Sequence, residues 1–321
     1  MQMDEGIKGG YRLKGQTSVK EPGFPVVSVI TVVFNSENLL ERTIDSVLKQ
    51  TYPNIEYIII DGGSRDATVE IIRKYDDRIA YWISESDRGL YDAMNKGLAA
   101  ATGDYLWFLN SGDLAYRADT LEKTFKDQRL KIKEQRSGDQ ETRSKINDLK
   151  PDTQNPIPNT PNPTSNIQHP TSNIQHPTSD IHHLIYYGDT MIVDSDYKEV
   201  GLRRFRPPEV LTWKSFRKGM LVCHQAILVH RSIAGPYDLK YRHSADFDWV
   251  LRALVKAEGI INTRQILCAF LDGGHSKQNI PASLRERFDI MRRNYGLIPT
   301  ALRHMPIVFR FAWYYIRNKR F

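Results

Sequence analysis

The chain is short of cysteine, of long apolar runs and of the common nucleotide-binding signatures. It has two cysteines in 321 residues. Cys223 and Cys268 are far apart in sequence and form no C-x-x-C pair, so neither a disulfide framework nor a zinc site is expected, and a reducing compartment is. No stretch of about 18 or more apolar residues occurs, which excludes a confident membrane-spanning helix. Met1-Gln-Met-Asp-Glu-Gly6 has no apolar core of a signal peptide, so no leader is expected. G-x-G-x-x-G is missing after every strand-like run, and G-x-x-x-x-G-K-[ST] is missing altogether. Dinucleotide and phosphate-loop sites are thereby disfavoured. No helix-turn-helix or aromatic RNA-platform motif is present either. The formal net charge of +7 is therefore read without a nucleic-acid partner. It fits phosphates, anionic lipid headgroups or an ordinary solvated surface.

What the chain does contain is an alternation of apolar runs and polar clusters. Residues 26–34 (Val-Val-Ser-Val-Ile-Thr-Val-Val-Phe) are β-branched and nearly continuous, as in a strand buried on both faces. Asn35 or Ser36 can cap a following helix with Leu39, Leu40, Ile44, Val47 and Leu48 at helical spacing. Runs at 55–60, 79–83 and 105–109 repeat the pattern, with helices expected between them. This alternation predicts an α/β fold with a mostly parallel, doubly wound central sheet flanked by helices. Ligands of such sheets bind beyond the carboxyl ends of the strands.

The rhythm breaks at 126–183. That segment holds a tandem heptad, Pro163-Thr-Ser-Asn-Ile-Gln-His169, repeated from Pro170 and, altered, from Pro177. Proline in every unit excludes a coiled coil, and the composition predicts a disordered low-complexity insertion. Its histidines, His169, His176, His182 and His183, are more simply a repeat than a metal site. The chain thus divides into a flexible lead-in (1–25), a first half (26–125), the insertion, a second half (184–297) and a tail (298–321). In the second half, strands are expected at 220–230, 260–261 and 266–271, and helices at 245–257 and 282–294. The tail is aromatic and basic with no acidic residue, which suits an interfacial helix on anionic lipid or a helix packed on the domain.

Three clusters carry chemistry. Asp61-Gly-Gly-Ser64 ends the second strand. Asp61 there can accept from a nucleobase or ribose, with Gly62 and Gly63 allowing close approach, or it can merely cap the next helix with Ser64. Phe34, at the tip of the first strand, is placed to cover a base. Asn110-Ser-Gly-Asp113 ends the fourth strand, and its carboxylate suits Mg²⁺ or Mn²⁺ bound with substrate phosphates, or a plain turn. Far downstream, Asp246 lies at a helix start, as a cap or a general base, while Asp248 points elsewhere.

Together these residues resemble the family 2 glycosyltransferases of the GT-A fold, and among them the colanic-acid and exopolysaccharide type. The resemblance runs through Ser28-Val-Ile-Thr-Val-Val-Phe-Asn35, Asp61-Gly-Gly-Ser-Arg-Asp-Ala-Thr68 and Glu85-Ser-Asp-Arg-Gly-Leu-Tyr-Asp-Ala-Met-Asn-Lys-Gly97. Phe108-Leu-Asn-Ser-Gly-Asp113, His224-Gln225, Ser244-Ala-Asp246 and Gly273-Gly-His-Ser276 complete it. It implies a nucleotide-sugar donor bound by Phe34, Asp61, Ser64, Asp87 and Asn110. It further implies a divalent metal on Asp113, acceptor contacts from His224, and Asp246 as the base of a single inverting displacement. Many relatives have Asp-Ser-Asp-Asp where this chain, like the exopolysaccharide-type relatives, has Asn110-Ser-Gly-Asp113, which implies either weaker metal affinity or a shell completed by Asp87 or a later histidine. The expected acceptor is a lipid-linked glycan for a cell-surface polysaccharide, handled in the cytoplasm, peripherally on the membrane. Polyprenyl phosphate as acceptor, or a degenerate non-catalytic binding domain, are the alternatives.

Overall fold

The computed structural model describes residues 6–17, 20–125, 183–272 and 280–305. The insertion at 126–182 and the chain beyond 305 lie outside the described residues, so the expectations made for them stand as expectations.

The described residues build one ten-stranded sheet. Its strands are β1 (Ile7–Gly9), β2 (Val27–Val33), β3 (Ile55–Asp61), β4 (Tyr81–Ser84), β5 (Tyr105–Phe108), β6 (Leu114–Ala115), β7 (Leu184–Val193), β8 (Glu199–Leu202), β9 (Ile227–His230) and β10 (Gly259–Leu271). They lie in the order β1-β4-β3-β2-β5-β9-β7-β10-β6, with β8 paired to the far end of β7. From β4 to β5 the pairing is parallel. Beyond β5 it is mixed: β9 runs antiparallel to β5 and β7, while β7 and β10 are parallel. Every residue of β2 is buried, as its unbroken β-branched run requires of a strand covered on both faces.

Helices α1 (Leu40–Leu48), α2 (Thr68–Lys74), α3 (Leu90–Ala100), α4 (Ala245–Lys256) and α5 (Ile280–Tyr295) cover the sheet. α1 buries Leu40, Ile44 and Val47, an i, i+4, i+7 stripe. α3 lies directly on β2. A Cβ at Gly97 would come within 2.5 Å of Ile30 Cγ2, so only glycine permits this approach.

Three expectations about chain segments change. Part of the lead-in is built into the sheet: β1 pairs antiparallel with β4, and Gly10 N–H donates to Asp76 Oδ1 at 2.7 Å. Arg12 bonds Glu56 at 3.0 Å, and Glu56 is a buried carboxylate that also takes Ser28 Oγ and the Thr102 amide. A lone buried carboxylate is costly, so the polar lead-in supplies its counter-ion. The expected strand at 220–230 is shorter. Residues His224–Ala226 form a 3₁₀ turn, and only Ile227–His230 pair as a strand. The two expected strands near 260–271 are one, β10, with its pairing to β7 interrupted between Asn262 and Ile266.

Candidate active site

β2, β3 and β4 end level, because Val33 pairs with Asp61 and Asp61 with Ser84. The loops that follow form one rim. Phe34, just past β2, is 62% exposed and offers its ring to solvent. Asn35 N–H donates to Ser64 Oγ at 2.7 Å, and Arg65 N–H to Asn35 Oδ1 at 2.9 Å, which ties the two loops together. A Cβ on Gly62 would collide with Asp87 Oδ2 and touch Phe34 at 3.4 Å. Phe34, Gly62 and Asp87 therefore meet at this rim. Asp61 is placed differently from a ligand contact. It is fully buried, and its carboxylate accepts from the Gly63 and Ser64 amides and from the hydroxyls of Ser64 and Ser84. Four internal bonds make it the residue that shapes the rim.

The Asn110–Asp113 turn follows β5. Gly112 sits at φ +97°, where an L side chain is strained. Asp113 points inward. It is 5% exposed, and its carboxylate accepts from Gln225 Nε2 at 3.0 Å and from the Leu271 amide at 3.2 Å. Burial pushes its pKa well above the usual carboxylate range, with Cys223 adding to the effect. Each oxygen of the carboxylate expected to hold a metal thus takes one bond from the protein. Among the described residues no group of three or more His, Cys, Asp or Glu side chains converges on a cation position. No step below is routed through a divalent ion. Residues 273–279, with His275, lie outside the described set.

Asp113 is then a folding residue, and this is testable. Asp113→Ala leaves the Gln225 amide and the Leu271 N–H unpaired and is expected to cost about 1–3 kcal/mol. Asp113→Asn keeps an acceptor in place and costs less. Urea denaturation of both variants checks this, and an unchanged midpoint for the alanine variant rules the role out.

Asn110 and Asp246 open onto a cleft of about 350 Å³. Asn110 Oδ1 is buried there without a hydrogen-bond partner among the described residues. Asp246 lies in the first turn of α4, whose N-cap position is taken by Ser244. Its Oδ1 accepts from Tyr91 Oη at 3.1 Å and from the Phe247 amide at 2.8 Å. Oδ2 takes no bond from a described residue. Asp248 faces away and bonds Arg252 at 2.7 Å, as expected for a residue two positions on. His224 lines the same cleft and holds Tyr237 Oη at 2.5 Å from Nε2. Burial pushes its pKa down to about 4, so it is neutral at physiological pH. An aromatic cluster underlies this wall: Tyr237 stacks on Trp249 at 5.2 Å and on Tyr91 at 5.6 Å. Asn95 clamps Tyr237 through its carbonyl at 3.0 Å and its amide at 2.7 Å, so α3 of the first half holds a loop of the second.

The structure brings Asp246, His224 and Asn110 to one cleft, and Phe34, Ser64 and Asp87 to the neighbouring rim. Sequence reasoning gave no role to Tyr91, Gln225, Tyr237 or three cleft arginines, Arg203, Arg242 and Arg287. Tyr91 and Gln225 lie inside the matched blocks. The arginines carry no local signal. Nor does sequence reveal that Cys223 and Cys268, both free, sit within hydrogen-bonding reach of each other.

Comparison with known proteins agrees with this picture. The model of glycosyl transferase family 2 matches residues 28–129. An uncharacterized glycosyltransferase of Mycobacterium tuberculosis is 32% identical over 278 residues, covering 84% of this chain and 85% of the relative. A PGL/p-HBAD biosynthesis glycosyltransferase of Mycobacterium bovis is 25% identical over 293 residues, 88% of this chain and 92% of the relative. Among solved structures, S. aureus TarS 1–349 superposes with a TM-score of 0.54 at 16% identity, covering 88% of this chain and 72% of that one. The same TarS segment solved in complex with UDP-GlcNAc gives 0.53 at 16% identity, over 88% and 73%. The extent and identity of the mycobacterial match, with a fold shared with TarS, show that this chain is a GT-A glycosyltransferase belonging to glycosyl transferase family 2.

Proposed function

We propose that this enzyme transfers a sugar from a UDP- or GDP-sugar to a hydroxyl of a lipid-linked glycan, inverting the anomeric centre, in cell-surface polysaccharide synthesis of the colanic-acid and exopolysaccharide type. One observation carries the reading: Asp246 is fixed through one carboxylate oxygen and leaves the other free in a cleft beside the strand-end rim. Tyr91 and the Phe247 amide fix the orientation, so Oδ2 meets the acceptor hydroxyl. As that oxygen attacks the anomeric carbon, its proton passes to Oδ2. The bond from the anomeric carbon to the diphosphate oxygen breaks, and the nucleoside diphosphate departs from the opposite face. Phe34 covers the base, Asp87 and the Asp61-shaped Gly62–Ser64 turn hold the nucleoside side, and neutral His224 borders the acceptor. The test is incubation with a panel of UDP- and GDP-sugars and a lipid-linked glycan. Release of nucleoside diphosphate with transfer from one donor is expected, and no turnover with any donor defeats the proposal.

Peripheral membrane contact belongs to the same reading. Among the described residues no helix is long and apolar enough to cross a membrane. The helix at 297–305, however, leaves Leu297, Ile298, Leu302 and Met305 exposed, next to the basic last turn of α5 with Arg292 and Arg293. Exposed apolar side chains beside cations suit an anionic bilayer. Co-sedimentation with vesicles containing phosphatidylglycerol is expected for the full chain, weakened several-fold by Leu302→Glu. Equal pelleting of both proteins removes this surface from the contact.

A further inference from the structure

The Asp246 cleft holds more positive charge than its one carboxylate needs. Arg203, just past β8, Arg242, just before α4, and Arg287, on α5, all line it. None of the three has an acidic partner among the described residues. Arg203 reaches only carbonyls, those of Phe205 and Met220, at 3.2 and 3.0 Å. Arg287 is half-buried over the Phe247 ring, and its Nε is buried without a hydrogen-bond partner. Glu286, its neighbour in α5, is spent on the backbone amides of Arg242 and His243, each at 2.8 Å. Among the described residues Asp246 accepts only from Tyr91 and the Phe247 amide, and from none of the three arginines. A buried guanidinium N–H left unpaired is costly and rare in native proteins, and it calls for an acceptor such as a water or a bound anion. Planar guanidinium forks match phosphate oxygens.

We propose that Arg203, Arg242 and Arg287 form a phosphate site in this cleft, taking a phosphate or diphosphate group. Two sources share that chemistry. One is the diphosphate of the donor. The other is the phosphate of a polyprenyl-linked acceptor. The choice between them rests on the transferase reading, whereas phosphate binding itself does not.

The test is calorimetric titration of the full chain in EDTA with inorganic pyrophosphate, UDP and farnesyl phosphate. Arg287→Gln, Arg242→Gln and, as a control, Arg285→Gln on the same helix are compared with the unaltered protein. Each cleft variant is expected to weaken pyrophosphate binding about tenfold, as loss of one charge-assisted bond implies, and the control is not. A parallel loss for UDP identifies the donor diphosphate as the source, and a parallel loss for farnesyl phosphate identifies the acceptor. If Arg287→Gln does not fold, the exposed Arg242 carries the same comparison. Unaltered binding of all three probes in the cleft variants, or an equal loss in Arg285→Gln, overturns the proposal. Turnover is not read, so failure of the donor panel and failure of this site are separate results.

Discussion

Asp246→Asn is expected to transfer sugar about 10²–10⁴-fold more slowly while binding donor nucleotide as before. Asparagine is the informative replacement. Its carbonyl oxygen can still accept from Tyr91 and Phe247, so the geometry of the α4 start is kept and only proton acceptance is lost. The fall belongs in kcat, because the interaction removed is made as the acceptor hydroxyl loses its proton. Donor affinity, which the proposed function assigns to groups other than Asp246, stays within error. Initial rates with the donor found in the panel, together with nucleotide titration, check both halves. An asparagine variant that turns over at the original rate would remove Asp246 from the base role. Tyr91→Phe is a milder relative: the carboxylate remains but loses one of the two groups that aim it.

The second large effect is on stability. Trp107→Ala is expected to cost about 3–5 kcal/mol. Trp107 is wholly buried at the centre of the sheet, in register with Val29 of β2 on one side and Leu228 of β9 on the other. Its Nε1 donates to the Gln225 carbonyl at 2.8 Å. Truncation therefore opens a cavity between the parallel and mixed parts of the sheet and leaves a buried carbonyl unpaired. The His224–Ala226 turn, which carries His224 into the cleft and Gln225 onto Asp113, loses its anchor to β5. Thermal and urea unfolding measure the loss. Trp107→Phe, which restores most of the volume but not the bond, should fall between. Matching unfolding curves for the alanine variant and the unaltered protein would contradict the account.

Much of this molecule is legible in its local sequence. The runs that predict strands at 26–34, 55–60, 79–83 and 105–109 appear as strands within about two residues, and in the first, second and fourth burial on both faces demands the unbroken apolar run. The separation of Asp246 from Asp248 follows from helical periodicity alone. The ordered blocks that resemble family 2 glycosyltransferases pointed to the family that the comparisons show. What sequence could not decide is where side chains face once distant segments meet. Asp113 looks like a ligand at a strand end, yet Gln225, far along the chain, and the Leu271 amide turn it inward. A polar lead-in gives no hint that β4 has an open edge or that Glu56 needs a cation. Arg203, Arg242 and Arg287 are three unrelated basic residues until β8, the α4 start and α5 converge on one cleft. Local periodicity is set by neighbours in the chain, but burial, charge balance and the free oxygen of Asp246 are set by contacts between residues far apart in it, and those exist only in the folded state.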